Sequence, residues 1–196
     1  MNDVLQQAAQ SFALHSDVTR AIAVFCAQWL LFVLVAVWLL AGLAHLRDLT
    51  PSTLVRIIAL AAVSYALAKV LNHVVSDPRP YLVEHTQPLA PVSADNGFPS
   101  DHTLAAAALT ASLWWIDRRI LPVLAVGTLL VMFGRLGVEA HHTLDVVGSV
   151  AIVAVVAVIV GMLPAPAAWN RPLLPGAQPA AARSQTRGPG ASVHHR

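Results

Sequence analysis

Five residues carry the chemistry of this chain: Arg79, His102, Arg135, His141 and Asp145. They fall in three polar clusters, at 72–80, 98–102 and 134–145, separated by long apolar runs. One ionisable residue at the end of an apolar helix reads as a snorkelling anchor. Two Arg, two His and an Asp drawn from separate segments point instead to a site, and the chemistry that suits them is phosphoryl transfer. Two guanidiniums, Arg79 and Arg135, can hold non-bridging phosphate oxygens in bidentate fashion and absorb the charge that spreads over them in the transition state. Pro99-Ser100-Asp101-His102 reads as a turn entering a helix, with Ser100 as the cap, so its free backbone N–H groups make an anion site.

His141 and Asp145 are four residues apart, a spacing that puts them on one helical face or brings them together across a turn. A carboxylate on one imidazole nitrogen fixes the tautomer and frees the other to attack phosphorus. That makes His141 the nucleophile and Asp145 its orienter, while His102 is left to protonate the leaving oxygen and then to activate water. Two arginines in the same site repel a divalent cation, so no metal and no cofactor are expected. Asp77 and Glu139 either tune the histidines or pair with the arginines.

The elements that must position these residues follow from composition. The chain has 196 residues, 57% of them hydrophobic and 11% charged, with mean hydropathy +0.65, far too apolar for a soluble domain. The expected fold is all-α, a polytopic transmembrane helical bundle of about five spans, at 21–44, 54–75, 102–116, 120–138 and 146–163. Residues 1–20 read as an interfacial amphipathic helix and 164–196 as a disordered cytoplasmic tail rich in Pro, Ala, Gly and Arg. The span at 102–116 is short and can cross only if its polar start is sheltered by protein or lies near the interface. The lone cysteine, Cys26, allows no intramolecular disulfide. The 12 basic residues sit in short loops and the tail rather than on an aromatic-laced basic face, which argues for topology and against nucleic-acid binding. Arg47, Arg56, Arg118, Arg119 and the tail arginines Arg171, Arg183, Arg187 and Arg196 all fall on one side of a five-span chain, and the positive-inside tendency makes that side cytoplasmic. The three polar clusters then share the extracytoplasmic face.

These clusters resemble the signature of the type-2 phosphatidic acid phosphatase superfamily: Lys-x6-Arg-Pro, then Pro-Ser-Gly-His, then Ser-Arg-x5-His-x3-Asp. Arg79-Pro80 matches the first, Pro99-Ser100 and His102 the second, and Arg135, His141 and Asp145 the third with its spacing intact. Asn72 stands in place of the motif lysine, with Lys69 one helical turn earlier, Asp101 in place of the glycine and Gly134 in place of the serine. Phosphate binding is accordingly expected from Arg79, Arg135, Ser100, Asp101, Asn72 and Lys69. The resemblance implies a helical bundle, a histidine nucleophile and hydrolysis without a metal. Phe98-Pro-Ser-Asp-His-Thr is similar to the bacitracin-resistance type of bacterial undecaprenyl-diphosphate phosphatase, which shifts the expected substrate towards a polyprenyl diphosphate held in the bilayer. The alternatives are a phosphatase for phosphatidate or phosphatidylglycerol phosphate, and a non-catalytic membrane protein that binds a phospholipid or serves resistance. The family also shares its oxyanion motifs with vanadium haloperoxidases, whose polar scaffold this chain lacks. The oligomeric state has no signature.

Overall fold

The computed structural model describes residues 3–174, and helices are the only long-range secondary structure among them. Two short helices, α1 (Val4–Leu14) and α2 (Asp17–Gln28), lead into α3 (Leu30–Ala44). A 24-residue helix α4 (Pro51–Val74) follows, then a single turn α5 (Pro80–Val83), and then α6 (Asp101–Ile116), α7 (Leu121–Gly137) and α8 (Thr143–Met162).

Local chemistry sets the helix starts. Ser16 and Thr19 form a reciprocal capping box at the start of α2. Thr50 caps α4, with Pro51 in the first turn where its missing N–H costs nothing. Ser100 caps α6.

By length and apolarity α4 and α8 can each cross a bilayer alone, and α2 and α3 can do so together, bent by 51° about Trp29. The first expected span is therefore a broken one. At 16 residues α6 is shorter than a lone span, and the bundle resolves this by wrapping it. One of its faces packs Leu104 and Ala107 against Leu60 and Ala68 of α4 and Val153 and Val156 of α8. Another packs Ala106 and Leu113 against Leu34 of α3 and Leu124 and Val131 of α7. Side-chain hydrogen bonds link the helices where apolar packing alone gives little orientation: Trp38 Nε1 donates to Ser112 Oγ at 2.7 Å, and Thr110 and Thr128 hydroxyls meet at 2.9 Å. Phe32, Leu40, Val126, Leu129, Val158 and Ile159 face outward, as lipid-facing positions do.

The N-terminal segment is two helices rather than one. α1 buries Gln6, Ala9 and Ala13 and turns Val4, Leu5 and Leu14 outward, while Phe12 meets Phe133 of α7 edge-on at 5.3 Å between centroids. After α8, Ala167–Asn170 form a 3-10 turn, and Leu173 N–H donates to the Leu49 carbonyl. The start of the expected tail thus folds back over the far end of the bundle. Residues from 175 onward, including Arg183, Arg187 and Arg196, lie outside the described residues.

The consequence for function is geometric. The C-termini of α4 and α7 and the N-termini of α6 and α8 meet at one end, covered by the 75–100 loop and by α1. Arg56, Arg118 and Arg119 lie at the opposite end.

Candidate active site

His141 lies in the turn between α7 and α8, 2% exposed. Its Nε2 is 3.3 Å from Arg79 Nη1 and 3.3 Å from Arg135 Nη2. A guanidinium can only donate, so Nε2 presents its lone pair to both, and the ring proton sits on Nδ1. Nδ1–H in turn donates to the Gly97 carbonyl at 2.9 Å, with Asp145 Oδ2 farther away at 3.4 Å. The tautomer is therefore held by a backbone carbonyl first and by the expected carboxylate second. Burial, and then the positive charges of Arg135 and Arg79, hold the imidazole well below its ordinary value, so it is neutral at neutral pH.

The two arginines are buried, 6% and 7% exposed, but differently occupied. Arg79 Nη1 also donates to the Ala140 carbonyl at 2.8 Å, and its other edge grips Asp95, with Nη2 to Oδ1 at 2.6 Å and Nε at 3.2 Å. A hydrogen bond from Ser93, followed by the Arg79 charge, holds Asp95 below the usual carboxylate range. Asp95 thus occupies the guanidinium edge that a phosphate would use. Among the described residues Arg135 has no such partner, and its Nε is buried without an acceptor.

Asp145, in the first turn of α8, is fully buried. Its Oδ2 accepts the His142 N–H at 2.8 Å, closing the helix start as well as backing His141. The adjacent His142 turns the other way: Nδ1 lies 3.7 Å from Asp3 and Nε2 4.0 Å from Asp77. His102 is half-buried in the first turn of α6, near enough to His141 for their charges to interact. Ser100 is buried and accepts from Thr103, which leaves the Asp101 and His102 N–H groups without intrahelical acceptors.

Arg79, Arg135, His141 and Asp145 are thus brought together, with His102 beside them. The remaining expected phosphate ligands are otherwise engaged. Asn72 donates its amide to the Phe98 carbonyl at 2.7 Å, fastening the 75–100 loop to the end of α4. Lys69 and Asp101 pair at 3.8 Å on the outer surface.

The close approach of α2 explains Gly134. A Cβ there would sit 2.5 Å from Ala27 N, so the serine of the family pattern does not fit this packing.

Gly97 is a site residue that motif reading passes over. A Cβ on it would lie 2.9 Å from the Asp77 carbonyl and 3.1 Å from Asp145 Oδ2, while its own carbonyl holds His141. Its only signal in the sequence is the turn-forming Asn96-Gly97 pair. Gly97→Ala should therefore push the loop off Asp145. We expect a loss of about 1–3 kcal/mol in stability and a lower turnover, read by thermal melting in detergent and by phosphate release; unchanged values for both would show that the loop is not so tightly held.

A groove of about 540 Å³ runs between α7 and α8 with α6 as its floor. Its lining is almost wholly apolar, and it includes Met132, one turn before Arg135, and Val147, two residues after Asp145.

Comparison with known proteins bears on the family and the fold. Undecaprenyl-diphosphatase BcrC of Bacillus subtilis (strain 168) is 30% identical over 171 residues, 83% of this chain and 82% of that protein. The crystal structure of Aquifex aeolicus LpxE shares the fold, with a TM-score of 0.61 at 18% identity over 81% of this chain and 93% of that one. The PAP2 superfamily model matches residues 53–166, more than half of the chain and all three polar clusters. With that match spanning the segments that deliver Arg79, His102, Arg135, His141 and Asp145, the chain belongs to the PAP2 superfamily of phosphatases.

Proposed function

We propose that this protein hydrolyses a polyprenyl diphosphate, undecaprenyl diphosphate to its monophosphate, through a phosphohistidine on His141 and without a metal. The observation that carries the reading is His141 Nε2, unprotonated and 3.3 Å from each of two buried guanidiniums. A terminal phosphate drawn to Arg79 and Arg135 arrives with its phosphorus in line with that lone pair. Nε2 attacks, the bond from phosphorus to the bridging oxygen breaks, and His102 gives its proton to the departing monophosphate. His102 then takes a proton from water, the water oxygen attacks phosphorus, and the N–P bond breaks to release orthophosphate and restore His141. Nδ1–H remains on Gly97 and Asp145 throughout, and both stabilise the positive charge that grows on the ring. The arginines supply the electrostatic complement that a divalent cation supplies elsewhere.

Three further features support the substrate class and address. The similarity to a protein named for undecaprenyl diphosphate favours that diphosphate. The α7/α8 groove offers an isoprenoid chain an apolar path whose lining reaches Met132, one helical turn from Arg135. The arginines at the far end of the bundle favour a cytoplasmic address for that end, with the site on the extracytoplasmic face of a bacterial inner membrane.

The test is a substrate panel on the purified chain with chelator present. Phosphate should be released from undecaprenyl diphosphate faster than from phosphatidate or phosphatidylglycerol phosphate, and vanadate should inhibit. Strict dependence on added magnesium would sink the metal-free mechanism, and a preference for the glycerolipids would move the substrate.

A further inference from the structure

Asp77 stands two residues before Arg79, in the loop that leaves α4. Its backbone is pinned on both sides: the N–H donates to Asn96 Oδ1 at 2.7 Å, and the carbonyl accepts from Gly97 N–H at 2.8 Å. Held this way, Asp77 lies beside Asp145: its Oδ1 is 4.0 Å from His142 Nε2, the His142 N–H donates to Asp145 Oδ2, and the Asp77 carbonyl and Asp145 Oδ2 flank the same side of Gly97. Asp145 Oδ2 is already engaged with the His142 N–H and the His141 ring, but Oδ1 is buried and receives no donor from any N–H or hydroxyl among the described residues. A buried carboxylate oxygen without a donor is costly, and two ionised carboxylates in contact are costlier still. One proton between them resolves both conditions.

We propose that Asp77 is a positioning residue that carries this proton and donates it to Oδ1 of Asp145, locking the carboxylate that backs His141. The assignment rests on reading His141 as the nucleophile. The groups facing Asp77 are Asp145 at the start of α8, His142 and His141 in the turn before it, and Asp3 of the N-terminal segment behind His142. Burial, then the neighbouring Asp145, push Asp77 up to about 6. Because the value is raised, the hydrogen bond is complete on the acid side and is lost as the pH rises through about 6. Turnover should fall over that interval, while His141 stays neutral throughout it.

The experiment measures kcat and KM for phosphate release from undecaprenyl diphosphate, at about pH 5–8, with the purified full chain and its Asp77→Asn, Asp77→Ala and His141→Ala variants. Asp77→Asn supplies a permanent neutral donor. It should keep kcat within about threefold of the parent at the acid end and lose the decline through about pH 6. Asp77→Ala should lower kcat about tenfold at the acid end with KM unchanged, because the residue does not touch substrate. The proposal is overturned if Asp77→Ala matches the parent in rate and profile, or if Asp77→Asn is as damaged as Asp77→Ala, which would assign the ionised form a role with His142. If Asp77→Ala does not fold, the Asp77→Asn profile alone decides. Turnover that survives His141→Ala removes the nucleophile and Asp77's role with it, whereas an inactive His141→Ala beside a normal Asp77→Ala removes only the role of Asp77.

Discussion

Replacing His141 with Ala should lower phosphate release by about 10⁴-fold or more, the largest effect of any single change in this protein. Nothing nearby can take over the attack. His142 faces Asp3 and Asp77, and His102 belongs to the first turn of a different helix, α6. Because Arg79 and Arg135 remain, the variant should still bind the diphosphate, and the loss should fall in kcat rather than KM. A second readout is chemical: a terminally labelled diphosphate should leave an acid-labile, base-stable phosphate on the parent chain and none on the variant. The pH dependence adds a sign. His141 is held well below the ordinary imidazole value, so acidification through about 6.5 does not protonate it in the folded chain. The rate should therefore not decline over that interval on its account. A variant that keeps full turnover, or that still becomes labelled, would rule out this nucleophile.

Arg135→Ala should cost about 10²–10³ in kcat/KM, more than the equivalent change at the Asp95-bound Arg79. The asymmetry comes from how the two guanidiniums are engaged. Arg79 divides its donors among Ala140, His141, Ser93 and Asp95, whereas Arg135 keeps a buried Nε with no acceptor and commits only Nη2 to His141. An unpaired buried donor beside a nucleophile gains most when a phosphate oxygen arrives. Arg135→Lys should not restore the rate, because a single ammonium cannot serve both the phosphate and His141 Nε2 as the planar guanidinium does. Vanadate inhibition reports the same loss as a raised inhibition constant. Recovery of most activity by Lys would mean that Arg135 supplies charge alone.

Much of this site is legible in the sequence because the chemistry demands rare residues in an apolar chain. Arg79, Arg135, His141 and Asp145 announce themselves by type and by the intact spacing of the last motif, and the folded chain places them within contact of one another. What spacing cannot show is which group completes each contact. The carbonyl that fixes the His141 tautomer belongs to Gly97, 44 residues away, and a backbone carbonyl leaves no mark in residue type. Asn72 and Asp101 fill motif positions, yet their side chains meet Phe98 and Lys69, because the 75–100 loop closes over the end of α4 and its own polar groups take the nearest partners. The fold was similarly divided. Apolar runs locate the long helices, but the 51° bend at Trp29 and the short α6 depend on packing between helices, which periodicity within one segment does not encode.

Asp3 accepts the N–H and the hydroxyl of Thr143, a partner 140 positions later, while its other role is to cap α1. During synthesis this carboxylate is made long before Thr143 and must wait for α8 to emerge and insert. The same holds for Arg79 and Gly97, whose partner His141 comes only with the turn ahead of α8. Assembly of this end of the bundle is therefore a late event in biogenesis, and a chain halted before the α7–α8 turn is made leaves Arg79 and Gly97 in place without the histidine that they hold.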